Sequence, residues 1–131
     1  MPFLKGAELF KVFKSKGRVD ESTVKFWAVQ IIHAIGYLHE EKGIAHRDIK
    51  LENTLLDEYG YISIIDYGLA KKIDQKNLTY TFCGTSEYIA PEIWQNSGYG
   101  KEVDWWSIGI MIYELVIGVT PFNSRSEEGI K

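Results

Sequence analysis

A mainly helical protein with one small β-hairpin is what these 131 residues predict, and three observations carry that expectation. Apolar side chains recur at three- and four-residue steps in one long and one shorter stretch, two short apolar runs flank a turn at Asp57 to Gly60, and residues 71 to 90 are polar and aperiodic. With 45% hydrophobic and 14% aromatic residues, the chain has the material for one core.

Taken in order, "AELFKVFKSKG" spaces Leu9, Val12 and Phe13 for a short amphipathic helix ended by Gly17. From Asp20 to Gly43, the residues Val24, Ala28, Ile31, Ile35 and Leu38 share one helical face, with Asp20 as the expected N-cap and Gly43 as the expected C-cap. The run "NTLLDEYGYISIID" then folds back as the hairpin, with Gly60 in the left-handed conformation. Residues 71 to 90 are polar, Thr-rich and without period, the mark of a long functional loop. A second long helix is expected from about Glu102 to Ile117, stopped by Gly118 and Pro121. Its most apolar window, Trp105 to Val119, is interrupted by Ser107 and Glu114 and falls short of the roughly 20 residues of a membrane span, so a buried helix is expected.

Charge removes other possibilities. Fifteen basic against 18 acidic side chains leave a net charge of -3, so nothing supplies the dense positive field that nucleic acid or anionic lipid selects. Cys83 is the only cysteine and can form no internal disulfide, which points to a reducing, intracellular and cytoplasmic setting. The opening "MPFLKGAELF" lacks the basic and apolar regions of a signal peptide.

Against this background "IAHRDIKLENTLL" is unusual, because it begins and ends apolar while His46 to Asn53 carry six ionisable or amide side chains. Asp48 and Asn53 are separated by four residues, a spacing that lets a returning loop aim both into one cleft, and Asp66 arrives at the end of the second hairpin strand. Two carboxylates and an amide supply hard oxygen ligands of the kind magnesium takes, and Lys50 adds a point charge suited to phosphate. For the HRD triplet alone, a solvated loop of mutually paired charges is the better account, because triplets recur by chance.

The triplet has company. "HRDIKLEN", "DYG", "TFCGTSEYIAPE" and "DWWSIG", in this order, resemble the C-terminal lobe of the eukaryotic protein kinase fold, and "TFCGT" with "DWWSIGIMIYELVIGVTPF" resembles the AGC group of serine/threonine kinases. The resemblance runs over residues 1–131, from the end of the hinge through the catalytic loop and activation segment to the central helix. It implies phosphoryl transfer from ATP, with magnesium, to Ser or Thr of a protein substrate. By the same resemblance Asp48 is the catalytic base, Lys50 steadies the transferred phosphoryl group, and Asn53 and Asp66 hold magnesium. Pro2, Leu4, Glu8, Leu55 and Ile65 fall where the family contacts the nucleotide. Thr81 matches the activation-loop threonine that an upstream kinase phosphorylates, with Arg47 to pair its phosphate, and Thr85 matches the threonine that bonds the catalytic Asp. Glu8, Glu52 and Glu114 match carboxylates that accept substrate arginines, which implies a preference for Arg-bearing substrates. Glu92 is implied to anchor the loop, and Asp104 to hold the catalytic loop's backbone donors.

Two departures stand inside the match: Tyr67 replaces the usual Phe, and Ser86 replaces a usual Pro. No Gly-rich loop and no phosphate-gripping lysine strand is found in the sequence, so the expectation is a partial kinase domain with its N-lobe absent, inactive by itself. Its competitor is a regulatory or binding remnant that does not turn over.

Overall fold

Asp20 caps the longest helix. Its carboxylate accepts the Thr23 amide at 3.0 Å and the Ser22 hydroxyl at 2.6 Å, so helix α2 (Glu21–Glu40) starts where the sequence expects. The computed structural model describes residues 6–123, and the nucleotide candidates Pro2 and Leu4 lie outside them. Before α2 come strand β1 (Gly6–Glu8) and helix α1 (Leu9–Lys16), which Gly17 closes. Helix α4 (Val103–Ile117) follows much later and ends on Gly118, whose φ of 101° is the left-handed cap a glycine permits.

Helix α2 buries Val24, Ile31 and Ile35 of its predicted face, with Ala28 and Leu38 partly covered. Helix α4, expected to be buried, leaves Trp105, Tyr113 and Ile117 exposed, because only its opposite face meets the core. Val24, Trp27, Ile31 and Ile35 of α2 meet Ile108, Ile110, Met111 and Leu115 of α4 in one core, joined by Leu9 and Phe13 from α1. At roughly 1.5 to 3 kcal/mol for each large apolar side chain removed from water, this packing dominates the favourable side of folding. A backbone bond from Val19 N–H to the Leu115 carbonyl, 2.7 Å, locks the α1–α2 connection onto the end of α4. Among the described residues no helix is long and apolar enough to cross a membrane.

One boundary differs from expectation. Helix α2 stops at Glu40, not Gly43, because Gly43 at φ 65° is used in the turn that follows, where its carbonyl accepts Ile73 N–H at 2.9 Å. That turn leads into β2 (Ile44–Ala45), which pairs antiparallel with β5 (Lys71–Lys72).

The hairpin is also larger than the sequence suggests. Strands β3 (Thr54–Asp57) and β4 (Ile62–Ile64) pair antiparallel, and β1 adds to the other edge of β3 with Glu8 opposite Leu55, giving the order β1-β3-β4. The turn is built by Asp57, whose Oδ1 accepts the amides of Tyr59 and Tyr61, with Gly60 at φ 86°. Gln30 of α2 accepts Ile62 N–H at 2.9 Å and so pins the hairpin to the helix. The stretch from 71 to 90 is largely irregular, as expected, but three short elements break it up: β5, an isolated bridge between Thr79 and Tyr99, and a 3-10 turn at Ser86–Tyr88. Pro91 then starts the four-residue helix α3 (Pro91–Trp94).

Candidate active site

A buried carboxylate organises the polar loop from below. Asp104, fully enclosed in the first turn of α4, accepts His46 N–H and Arg47 N–H at 2.8 Å each, and its Oδ2 also meets His39 Nε2 at 2.8 Å. Arg47 is held at φ 70°, an unfavourable conformation for a residue with a Cβ, and the Asp104 bond to its amide holds it there. The imidazole of His46, also fully buried, continues the construction. Its Nδ1 accepts Asp48 N–H at 3.2 Å, so the ring proton belongs on Nε2, which donates to the Ile65 carbonyl at 3.1 Å. The loop is thereby tied to the chain segment that ends in Asp66.

Above this support the candidates form a connected group. Thr85 Oγ1 accepts from Lys50 Nζ at 2.9 Å and donates to Asp48 Oδ1 at 3.0 Å. Asn53 Nδ2 donates to the Asp48 carbonyl at 2.9 Å and to Asp48 Oδ2 at 3.1 Å. Lys50 Nζ lies 3.6 Å from the same Oδ2, and the Asp48 side chain keeps 13% exposure. Both carboxylate oxygens of Asp48 are thus bonded as acceptors while one edge faces solvent, the state in which a carboxylate can take a hydroxyl proton. Because the Asn53 nitrogen is turned inward, its oxygen is left for a cation.

Asp66 stands apart, exposed and at φ 59°, with Oδ1 accepting Gly68 N–H at 3.1 Å and Oδ2 free of hydrogen bonds among the described residues. Two free oxygens from an amide and a carboxylate suit magnesium, which keeps waters and takes its remaining ligands from phosphates. No cluster of three or more His, Cys, Asp or Glu suited to a metal occurs among the described residues. Leu55 and Ile65 are half-buried, and Glu8, opposite Leu55 across β1 and β3, pairs with Lys11 at 3.7 Å. Tyr67 packs edge-on to His46 at 5.0 Å between ring centres and is half exposed.

Beside this group lies the irregular stretch around Thr81, held by one buried tyrosine that sequence reasoning missed. Tyr99 donates from its hydroxyl to the Thr81 carbonyl at 2.5 Å and accepts from Arg47 Nη1 at 3.2 Å, with Cys83 Sγ 3.7 Å away. Burial pushes its phenol up, so it remains the donor at ordinary pH. Arg47 also donates from Nε to the Leu69 carbonyl, and Lys71 Nζ reaches Thr79 Oγ1, which contacts the exposed Thr81 hydroxyl at 3.4 Å. Arg47 therefore meets Thr81 through Tyr99 rather than directly.

The three candidate substrate carboxylates separate. Glu52 and Glu114 line one cavity together with Glu87, while Glu8 lies on the strand edge outside that lining. The Tyr88 hydroxyl donates to Glu114, and burial, more than the charges of Glu52 and Glu87, raises the Glu114 carboxyl above its ordinary range. Glu92 makes no side-chain bond among the described residues; its carbonyl, not its carboxylate, receives Ser97. His46, Tyr88, Glu87, Lys71 and Tyr99 went unassigned in the sequence. His46 alone carried a signal, its place in the HRD triplet; the others matter through partners distant in sequence.

Comparison with known proteins gives a consistent result. The profile of the protein kinase domain matches residues 1–131. Protein kinase 2 of Dictyostelium discoideum is 47% identical over 126 residues, covering 96% of this chain and 26% of its own length. The human cAMP-dependent protein kinase catalytic subunit PRKX is 45% identical over 130 residues, 99% of this chain and 36% of that protein. The cAMP-dependent protein kinase type 3 of Saccharomyces cerevisiae is 46% identical over 126 residues, 96% and 31% respectively. The chain thus spans between about a quarter and a third of the length of these relatives.

Proposed function

We propose that this chain, which belongs to the protein kinase family with AGC kinases among its relatives, supplies the C-terminal-lobe half of an ATP- and magnesium-dependent transfer of phosphate to protein Ser or Thr. The observation that carries the reading is the Lys50–Thr85–Asp48–Asn53 hydrogen-bonded group, with Asp66 nearby in sequence to the His46-linked Ile65. Asp48 orients the substrate hydroxyl and takes its proton, and Lys50 offers its ammonium to the moving phosphoryl oxygens. Asn53 and Asp66 would hold magnesium through the oxygens their own hydrogen bonds leave free; the ion when bound neutralises charge developing on the phosphates. Leu55 and Ile65 form the apolar floor for adenine, with Glu8 toward the ribose and Pro2 and Leu4 at the hinge.

Glu52 and Glu114 accept arginines near the phospho-acceptor, and Glu8 adds a further carboxylate for the same purpose. Phosphate placed on Thr81 by an upstream kinase draws Arg47 and Lys71 together across Tyr99 and orders the segment. The reducing setting expected from the lone Cys83 is that of the cytoplasm. Assayed by itself the 131-residue chain is expected to be inactive, because positioning of the phosphates from one side alone leaves the reacting group open to water.

The test is a chimera in which this chain is joined to the preceding residues of PRKX. It should phosphorylate a Ser peptide carrying upstream arginines. Asp48→Asn should cut turnover by about 10²- to 10⁴-fold while sparing nucleotide affinity, and Asp66→Ala should instead weaken magnesium-ATP binding. Near-normal turnover of the Asp48 variant contradicts the base assignment, and a chimera that binds peptide but never phosphorylates it favours the binding remnant.

A further inference from the structure

Residues 78–82 alternate as a strand does, although they carry a single bridge of pairing. Leu78 is 52% exposed and Tyr80 61%, while Thr79 between them keeps 4%, and Phe82 is again open at 57%. The Thr79 and Thr81 hydroxyls lie 3.4 Å apart and so share one face. Leu78, Tyr80 and Phe82 occupy the other, the first two against Gly98 and Phe82 edge-on to Trp94 at 5.0 Å between ring centres.

The main chain alternates as well. Thr79 exchanges both of its bonds with Tyr99, N–H to carbonyl at 2.9 Å each way, and the Thr81 carbonyl points to the same side, where it takes the Tyr99 hydroxyl. The N–H and carbonyl groups of Leu78, Tyr80 and Phe82 therefore point to the opposite edge, and none of them makes a hydrogen bond among the described residues. That edge also lacks the features that keep a strand from pairing with another chain. From Asn77 to Ser86 there is neither a charged residue nor a proline, and Thr, Tyr and Phe favour strands.

We propose that this edge is a self-association surface: a second copy of the chain covers it by adding its own residues 78–82 as an antiparallel strand. The segment is complementary to itself. About a two-fold axis at Tyr80, each Tyr80 stands opposite the other and Leu78 stands opposite Phe82, so every free N–H meets a free carbonyl and the apolar side chains of both copies share one face. A peptide with charges at these positions would bury them against an uncharged edge, whereas the chain's own segment brings none. Three side chains, each more than half exposed, are covered in each copy. At about 200 Å² for a large side chain this removes roughly 600 Å² in all, well below the roughly 1,600 Å² of a standard interface. The dimer is accordingly weak and reversible, formed at high concentration and absent in dilute solution.

The experiment follows the 131-residue chain by sedimentation and by 15N amide spectra from about 10 μM to about 1 mM, the range in which so small an interface associates. The sedimenting species should move from monomer toward dimer. The amides of Leu78, Tyr80 and Phe82 should shift and gain protection with concentration, and that of Thr79, already bonded to Tyr99, should change least. Tyr80→Lys sets two like charges opposite each other on the axis and should weaken the dimer about five- to tenfold. A synthetic peptide of residues 77–83 carrying Cys83→Ser should bind at the same amides and dissociate the dimer, and the same peptide N-methylated at Tyr80 should not. The peptide pair reads the main-chain bonds directly and keeps the test open if the lysine variant does not fold. A chain that stays monomeric over the whole range and binds neither peptide overturns the proposal, as does an association that Tyr80→Lys and both peptides leave unchanged. Equal action of the two peptides overturns the strand pairing. Selective peptide binding without any dimer assigns the edge to a different extended partner and overturns the second copy.

Discussion

The loop from His46 to Asn53 and the segment from Lys71 to Phe82 are both irregular and polar, yet they are held in opposite ways. The first is bonded from beneath by Asp104 and His46, each fully buried, and its polar side chains bond one another. The second is paired only at its start, Lys71–Lys72 to β2 and Ile73 to Gly43. Beyond that it depends on the Thr79–Tyr99 bridge, the Tyr99 hydroxyl and one lysine, while Tyr80, Thr81 and Phe82 stand exposed. The difference is one of where the acceptors sit. An acceptor inside the core is unavailable to water and holds its donors strongly; one at the surface competes with water and can be traded for another partner, such as a phosphate.

Removing the buried acceptor should have the largest effect. Asp104→Ala leaves the amides of His46 and Arg47 and the imidazole of His39 without their bond, and should cost about 3 to 5 kcal/mol, read as a lower urea midpoint. A loss under about 1 kcal/mol would mean the loop holds itself and the contrast is wrong. Tyr99→Phe comes next. It deletes one hydroxyl that serves Thr81 and Arg47, so about 1 to 2 kcal/mol of local order should vanish from the activation segment, with faster amide exchange there and little change at residues 46–53.

The smallest effect concerns acid. Asp74 bonds the Asn77 side chain and the amides of Lys76 and Asn77, which lowers its carboxyl below the ordinary value. A carboxyl lowered by folding lends stability above its unfolded value and loses it as pH falls through the folded one. Residues 74–77 should therefore loosen at strongly acidic pH, and only slightly, since Asp74 is fully exposed. Asp74→Asn should abolish the loss of protection of these amides in acid, measured relative to their intrinsic exchange rates; persistence of that loss would assign the acid sensitivity elsewhere.

How much of this was legible follows from the reach of each interaction. Helix α2, helix α4 and the hairpin announce themselves through period and through local signals such as Asp20, Asp57 and Gly118, all read within a few residues. Strand β1 on β3, the two-residue pairing of β2 with β5 and the Thr79–Tyr99 bridge are too short for any period, and their partners are distant. Gly43 misled because the glycine after a helix and the glycine of the next turn look alike in sequence. In the site, Asp48 and Asn53 share a spacing that could be read directly, whereas Thr85 and Asp104 could be tied to the loop only by resemblance. Nothing local in "GYG" marks Tyr99 as the residue that joins Arg47 to Thr81, nor does "EY" mark Tyr88 as the donor to Glu114.

Native-state hydrogen exchange on the 131-residue chain puts the contrast to its most direct test. The amides of His46 and Arg47, bonded to a carboxylate with no solvent access, should exchange only with global unfolding, at the rate of the α2 and α4 core. Those of Tyr80 and Phe82 should exchange many-fold faster. If His46 and Arg47 exchanged as fast as Tyr80 and Phe82, the loop from His46 to Asn53 would not be preorganised by Asp104, and the account of how this chain builds its candidate site would fail.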